Sequence, residues 1–245
     1  MMANTNTINN NDIKQFILRI DFQTRMPTEK IVTDLKCFFQ RLEERKLLGF
    51  EVSLDTQNKS SSVEQKNFTD IVMVGDDGKT FVLSPKENCL YLQSNVYIDN
   101  SVYKDIVKAL VAACRSEECC QAKRIGLRYI NELECKTPRS FNAVLNKKFA
   151  TVIKNMLTPE DTTRAIAVQF RTVNEQSLKV QYGVFNKFFP SVLKNYDIVI
   201  DIDSFSTSLV DVHAWESIIT SLNHNAFATF AEMVSPIYME KKKNG

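Results

Sequence analysis

Glycine and proline are scarce in this sequence, with 6 of each among 245 residues. This scarcity argues against Gly-rich phosphate-binding loops and against long flexible linkers. The patterns G-x-x-x-x-G-K-[ST], G-x-G-x-x-G, G-x-S-x-G and H-E-x-x-H are all missing. The sequence therefore contains no recognised catalytic motif, and whether the protein is an enzyme stays open, with a non-enzymatic role favoured.

Histidine and net charge are also low. There are two histidines, and 31 basic against 29 acidic residues give a formal net charge of +2. Such a balance gives no electrostatic reason to expect nucleic-acid or membrane binding. The N-terminus lacks the basic and apolar regions of a signal peptide, and no apolar run reaches the roughly 18–20 residues of a membrane span. We therefore expect a cytoplasmic protein.

The six cysteines follow no regular spacing and form no C-x-x-C motif. Zinc sites and disulfide frameworks need such spacing, so reduced thiols are expected. No cofactor is expected on these grounds.

Apolar residues alternate in some runs and recur at helical spacing in others, which are the periods of strands and helices. Residues 57–67 have neither period and are predicted to form a loop. The predicted strands are 14–23, 50–56, 69–75, 79–85, 88–98, 123–134, 163–174, 176–186 and 196–205. The predicted helices are 28–48, 101–118, 140–157 and 209–239.

A meander of strands followed by a long helix occurs twice, over about 69–120 and 162–239, which indicates an internal duplication. Short neighbouring strands with few crossovers predict an α+β fold, with a mainly antiparallel sheet and long helices packed on one face. We expect residues 1–12 to be disordered and 241–245 to form a tail. Residues 13–135 and 136–240 would be the two α+β halves of one compact unit.

One predicted strand, "KRIGLRYINELE" at 123–134, carries two arginines beside an apolar face. Arg124 and Arg128 share one face with Gly126, because side chains alternate along a strand. Assigning each later strand a core face by its apolar residues turns Ile166, Val168 and Phe170 inward. The residues that then point outward with the two arginines are Gln169, Arg171, Lys179, Gln181, Asp201 and Asp203.

This outward face has two interpretations. Its mixed charges are typical of a salt-bridged, solvated sheet. Alternatively, the arginines could clamp an anionic ligand. Asp201 and Asp203 lie roughly 6.5–7 Å apart along a strand. Such a pair could hold Mg²⁺ with a substrate phosphate. This pair is a weak metal candidate, and the sequence offers no other.

The segment Arg124-x-Gly126-Leu127-Arg128-Tyr129-x-Asn131 resembles an R-x-G-L-R-Y-x-N strand. It is shared by a sporadically distributed family of prokaryotic proteins of similar length. The family also has an L-D-x-D-x-F strand, matched here by residues 200–205, and a final helix with a Leu-His. Here Asn223 stands between Leu222 and His224. The resemblance implies an α+β fold and a bacterial or archaeal source, and it implies no particular activity.

The resemblance and the alternation together select Arg124, Arg128, Asn131, Arg171, Asp201, Asp203 and His224 as candidate ligand-binding residues. The first hypothesis is a non-enzymatic binding or interaction protein, with a protein partner or self-association, and an accessory role in a prokaryotic defence-type system. The second is an enzyme or ligand-binding domain for a phosphate-bearing small molecule that uses the face of Arg124, Arg128, Asp201 and Asp203, with Mg²⁺ as an optional cofactor.

Overall fold

The computed structural model describes residues 12–38, 42–46, 49–55, 60–66, 70–75, 79–84, 87–95, 104, 107–112, 121–158, 164–186, 191 and 195–243. Its first strands are β1 (Ile13–Phe22), β2 (Leu42–Lys46), β3 (Gly49–Asp55), β4 (Ser60–Lys66), β5 (Ile71–Gly75), β6 (Lys79–Ser84) and β7 (Cys89–Ser94). The later strands are β8 (Gln121–Leu133), β9 (Ala165–Val173), β10 (Gln176–Val184), β11 (Ile198–Ser206) and β12 (Val210–Asp211). The helices are α1 (Thr28–Phe38), α2 (107–112), α3 (Phe141–Val144), α4 (Lys147–Met156), α5 (Trp215–Met233) and α6 (Pro236–Lys243).

The predicted α+β fold with a large antiparallel sheet is confirmed. The sheet has the strand order β2-β5-β6-β7-β1-β8-β11-β10-β9, with β12 paired to β8, and all its described pairings are antiparallel. β3 and β4 form a separate two-stranded sheet.

The strand order is nearly symmetric about the contact between β1 and β8. From that contact, β7, β6 and β5 follow on one side, and β11, β10 and β9 follow on the other. Each half thus contains one central strand and a three-strand meander. In the first half α1 follows β1 and α2 follows the meander, and in the second half α3 and α4 follow β8 and α5 follows the meander. This arrangement places β8 and β11, which carry the candidate residues, near the middle of the sheet. The duplication stays a prediction.

The core lies on the face of the sheet that α5 contacts, which we call the helix face. Its strand residues include Phe16, Leu18, Leu127, Val180 and Ile200, each 1% exposed or less. The buried sides of α1, α2, α4 and α5 belong to the same core cluster. Trp215, at the start of α5, is fully buried and packs against Phe22 with ring centroids 5.8 Å apart. Trp215 is therefore a core residue that joins α5 to β1.

Two predictions in the first half are wrong. The helix predicted to reach residue 48 has ended at Phe38, and Leu42–Lys46 is instead strand β2, paired with β5. The loop predicted at 57–67 contains strand β4, paired with β3. Strand pairing uses backbone groups, so a partner strand can impose extended structure on a run whose side chains show no strand period.

Two long predicted helices are each broken. Leu145 is extended and separates α3 from α4, and Val234 is extended and separates α5 from α6. The two breaks are joined, because Leu145 and Val234 form an isolated β-bridge. Asn146 caps α4, and Pro236 opens α6, where proline is favoured because its missing N–H needs no partner. The predicted start at 209 is also wrong, since β12 and a 3-10 turn precede Trp215.

The ends of the described chain are tied together. Tyr238 donates a hydrogen bond of 2.6 Å to Asp12, and Lys242 forms an ion pair of 2.6 Å with the same carboxylate. Residue 12 is thus ordered by α6, and residues 241–243 belong to that helix rather than to a tail. Residues 1–11 lie outside the described residues. Within the described part of the chain, no helix is long and apolar enough to cross a membrane.

The outer strand β9 faces the opposite way from the prediction. Val168 and Phe170 were expected in the core but are 49% and 75% exposed, whereas Ala165 is buried. Two small residues, Ala165 and Ala167, let α4 contact this strand on the helix face. Alternation alone distinguishes two faces, and at a sheet edge the more apolar set need not be the one that is covered.

Candidate functional site

Four of the seven candidate residues lie together on two adjacent strands, β8 and β11. Arg128 is directly opposite Asp203, and Asp201 is directly opposite Ile130. All four charged side chains project from the side of the sheet opposite α5. We call this side, defined by Arg124, Arg128, Asp201 and Asp203, the charged face. The strand order, which the sequence did not give, makes β8 and β11 neighbours and so brings these four residues together.

Arg128 forms the more complete of two ion pairs on this face. Its Nε donates to Asp201 Oδ1 at 2.8 Å and its Nη2 donates to Oδ2 at 2.7 Å. This two-bond geometry is the strongest that an arginine and a carboxylate can make. The hydrogen bonds that Arg128 donates to Asp201 raise the pKa of Arg128. The Asp201 side chain is only 11% exposed, so its charge depends on this partner.

Arg124 forms the second pair, with Asp203 at 3.1 Å. Its guanidinium also lies 4.6 Å from the centroid of the Phe205 ring, a cation–π distance. Its Nε is buried and meets no hydrogen-bond acceptor among the described residues. Burial raises the pKa of Asp203 above its ordinary value, although both arginines act to lower it. The ion pair between Arg124 and Asp203 therefore stabilises the fold less than the ion pair between Arg128 and Asp201.

Gly126 lies between the two arginines and opposite Phe205. A Cβ atom added there would be 3.3 Å from Phe205 Cβ, 3.6 Å from Asp203 Oδ1 and 3.7 Å from Arg124 Nη2. The space left by the missing side chain is therefore lined closely by the Arg124–Asp203 pair and by Phe205. These side chains, rather than an open cleft, surround this glycine.

The charged face continues onto β1 with residues that the candidate set omitted. Arg19 pairs with Asp21 at 2.8 Å and approaches Glu87 at 3.7 Å, and Asp21 lies opposite Arg124. The sequence alternation indicates that Arg19 and Asp21 point away from the core, because they alternate with buried residues of β1. The sequence does not show that β1 adjoins β8, and this contact adds the two residues to the charged face. On β7, Cys89 lies opposite Asp21, and burial raises the pKa of its thiol to about 11, which keeps it protonated.

The other three candidate residues lie elsewhere. Arg171 is on the helix face, where it contacts Glu232 of α5 at 2.8 Å and Gln169 at 2.8 Å. Asn131 is buried and donates to the carbonyl of Ile200 at 3.2 Å. His224 is exposed on α5. The structure thus does not bring them to Arg124 and Arg128, and the outward assignment of Arg171 with those arginines is wrong.

Asn223, which interrupts the Leu-His pattern of the final helix, lies on α5 and contacts the sheet. Its Oδ1 accepts a hydrogen bond of 2.6 Å from the Tyr129 hydroxyl, and Tyr129 belongs to the R-x-G-L-R-Y-x-N segment. A second polar contact lies along the same helix, where Asn225 donates to Gln176 at 2.7 Å. Both contacts join α5 to the sheet, which is a structural role for the motif tyrosine.

Each aspartate of the D-x-D segment, Asp201 and Asp203, forms an ion pair with an arginine. No group of three or more histidine, cysteine, aspartate or glutamate side chains suited to a metal ion occurs within the described ranges. Cys37, Cys89 and Cys135 are free thiols, and the other three cysteines lie outside those ranges. The chemistry available on the charged face is charge pairing rather than an assembled acid–base or metal centre.

The raised pKa of Asp203 leads to a prediction with a definite sign. A carboxyl group with a raised pKa contributes most stability below its ordinary pKa, and this contribution is lost as the pH rises through the raised value. Asp203→Asn should therefore be as stable as the original chain, or more stable, at pH 7. That advantage should shrink towards pH 4, where Asp203 itself becomes protonated. Urea denaturation at the two pH values measures the difference.

Asp201→Asn is the matched control, because it removes the same charge from the better pair. It should cost about 1.5–3 kcal/mol at pH 7, the scale of hydrogen bonds to charged groups. An equal loss for both variants at pH 7 would contradict the distinction between the two pairs.

Comparisons with known proteins do not decide the family. No protein-family model matches this sequence, and no curated protein matches it. The resemblance to the prokaryotic family therefore stays a prediction from the R-x-G-L-R-Y-x-N and D-x-D segments.

Proposed function

We propose that this chain is a non-enzymatic interaction protein that binds another polypeptide through its sheet. The observation that carries the proposal is the mutual pairing of the four charges on the charged face. Arg128 and Asp201 satisfy each other through two hydrogen bonds, and Arg124 meets Asp203. A substrate phosphate would have to displace a carboxylate from an arginine before it could bind.

Exposed apolar residues at the edge of the sheet support the same proposal. Val168 and Phe170 lie side by side on β9, the last strand in the order of the described sheet. An exposed sheet edge is a recurring site for binding an added strand, because its main-chain groups supply hydrogen bonds and its side chains supply specificity. An accessory component of a prokaryotic defence-type system would need such a surface and no catalytic centre.

The second candidate is binding of a phosphate-bearing ligand on the charged face, with Mg²⁺ between ligand and aspartates. One observation favours it: the buried Arg124 Nε has no acceptor among the residues that the structure describes. Protonation of Asp203 would also weaken its pairing with Arg124, so anion binding by this route should strengthen as the pH falls.

Thermal shift and affinity capture together separate the two functions. We expect no change in melting temperature with nucleotides or inorganic phosphate, with or without Mg²⁺. We also expect the tagged chain to retain a stoichiometric polypeptide from its native cells, either a second copy or another chain. Phe170→Lys should release it, whereas Ile237→Lys, at a position of similar exposure, should retain it.

A ligand that raises the melting temperature would contradict the proposal, because a ligand that binds only the folded state stabilises it, and the effect grows with the logarithm of ligand concentration. Loss of that shift in Arg128→Lys, which keeps the charge but loses the two-bond geometry, would assign the ligand to the charged face.

A further inference from the structure

Among the described strands, the nine-residue strand β9 is at one edge of the sheet and has little of the usual edge protection. Natural edge strands are kept from pairing by proline, charged side chains (lysine above all), bulges or short length. β9 has the sequence AIAVQFRTV, contains neither proline nor lysine, and pairs with β10 over all nine positions without a register shift. Val168 and Phe170 are exposed beside it. An edge of this kind is available to receive another strand.

The turn between β9 and β10 identifies the free backbone groups. Asn174 and Glu175 have φ values of 49° and 63°, both in the left-handed region. The two residues therefore form a type I′ hairpin turn. Such a turn is closed by a hydrogen-bonded pair, here Val173 with Gln176. Bonded positions then recur at every second residue. The residues whose backbone groups point away from β10 are Ile166, Val168, Phe170 and Thr172.

We infer that β9 pairs with β9 of a second copy of this chain, antiparallel about a two-fold axis at Gln169. Gln169 is the middle residue of the strand, so this register pairs all nine residues and forms about eight backbone hydrogen bonds. On the charged face, it sets Val168 against Phe170 of the second copy and Ile166 against Thr172. Pairs of aromatic and β-branched residues are favourable across strands.

The charges of the strand suit a second copy. Arg171 is the single charged residue of β9, and Glu232 of the same chain neutralises it at 2.8 Å. In the proposed register, Arg171 faces Ala167 of the second copy, so no like charges are opposed. A strand that is self-complementary in both apolar pattern and charge needs no foreign partner. This inference specifies the partner of the proposed interaction function and rests on that function.

Sedimentation velocity tests the association. The full chain should be dimeric at micromolar concentration, and Phe170→Lys should weaken the dimer by at least about tenfold, because it places two cations near the axis. Ile237→Lys, which changes a similarly exposed residue of α6, should leave the dimer intact. Circular dichroism and melting temperature confirm that both variants fold. A full chain that stays monomeric at every concentration would overturn the inference.

A disulfide tests the register. Opposed residues at a non-bonded position have Cα atoms about 4.5 Å apart, which a disulfide can span. Gln169→Cys should therefore form a covalent dimer under mild oxidation. Ala167→Cys should form no more covalent dimer than the original chain does. In the proposed register, residue 167 lies opposite residue 171 of the second copy, so the two introduced cysteines are too far apart to form a disulfide. Equal cross-linking by both variants would overturn the proposed axis.

The outcomes keep this inference distinct from the proposed function. A monomeric chain that still retains a foreign polypeptide sensitive to Phe170→Lys would overturn the second-copy assignment and leave the interaction function standing. A dimer that also binds a nucleotide through Arg128 would favour ligand binding on the charged face over the proposed function and leave the dimer standing.

Discussion

Gly183→Ala is expected to destabilise the fold by about 4 kcal/mol, the sum of backbone strain and overpacking in a tight site. Gly183 has a φ of +155°, which side chains rarely tolerate, and it lies opposite Ile166 in the pairing of β10 with β9. An added Cβ would lie 2.0 Å from the carbonyl oxygen of Ala165. That atom belongs to the backbone of β9 and cannot move without breaking the pairing.

Gly126→Ala is the matched control, since it adds the same methyl group to another strand of the same sheet. Its nearest neighbour would be Phe205 Cβ at 3.3 Å, so it should cost only about 1 kcal/mol, near the lower end for overpacking. Urea denaturation of both variants gives the comparison. Similar losses would mean that the backbone of β9 can shift away from β10.

Gly183→Ala also bears on the interaction surface. Separation of β9 from β10 would remove the edge strand that carries Val168 and Phe170. We therefore expect any soluble Gly183→Ala protein to be monomeric, even where α5 and the central strands remain folded.

Arg128→Ala is expected to cost about 2–3 kcal/mol. Breaking a fully buried ion pair costs about 3–5 kcal/mol, because the remaining charge is left without a partner. The value here is lower because the Arg128 side chain is 41% exposed, so water can partly solvate Asp201 after the substitution. Equilibrium denaturation of Arg128→Ala, Asp201→Asn and the double variant measures the coupling between the two residues.

The same variant separates a structural arginine from a ligand clamp. A structural Arg128 predicts a loss of stability with a large coupling to Asp201. A clamp predicts unchanged melting and loss of anion binding. Arg128→Lys refines the comparison, since lysine keeps the charge but cannot donate two parallel hydrogen bonds to one carboxylate. Unchanged melting and unchanged binding in Arg128→Ala would contradict both interpretations.

The central candidate residues could be predicted because they lie on strands with strict alternation. Along β8, Ile125 and Leu127 are buried while Arg124 and Arg128 point to the other face. A strand buried on one side repeats every two residues, so its outward residues follow from sequence alone. That Asp201 and Asp203 pair with these arginines required the strand order, which depends on contacts between residues over 70 positions apart.

The errors occur where the local pattern and the tertiary contacts disagree. On β9 the larger apolar residues face solvent, because Ala165 and Ala167 admit α4 on the other side and Arg171 reaches Glu232. The predicted helices 140–157 and 209–239 break where Leu145 and Val234 pair with each other. Asn146 and Pro236 mark the starts of α4 and α6 locally, but the pairing of Leu145 with Val234 depends on a distant segment and could not be read from either helix.

The sequence by itself determined the α+β class, the main strands and helices, and the outward direction of Arg124, Arg128, Asp201 and Asp203. These properties follow from local periodicity, which reports which side of each element is apolar. Only the tertiary structure decided that β1 and β8 meet at the centre, that the four charges neutralise one another, and that β9 forms an exposed edge. Those properties depend on which distant segments become neighbours, and periodicity within one element carries no record of its partner.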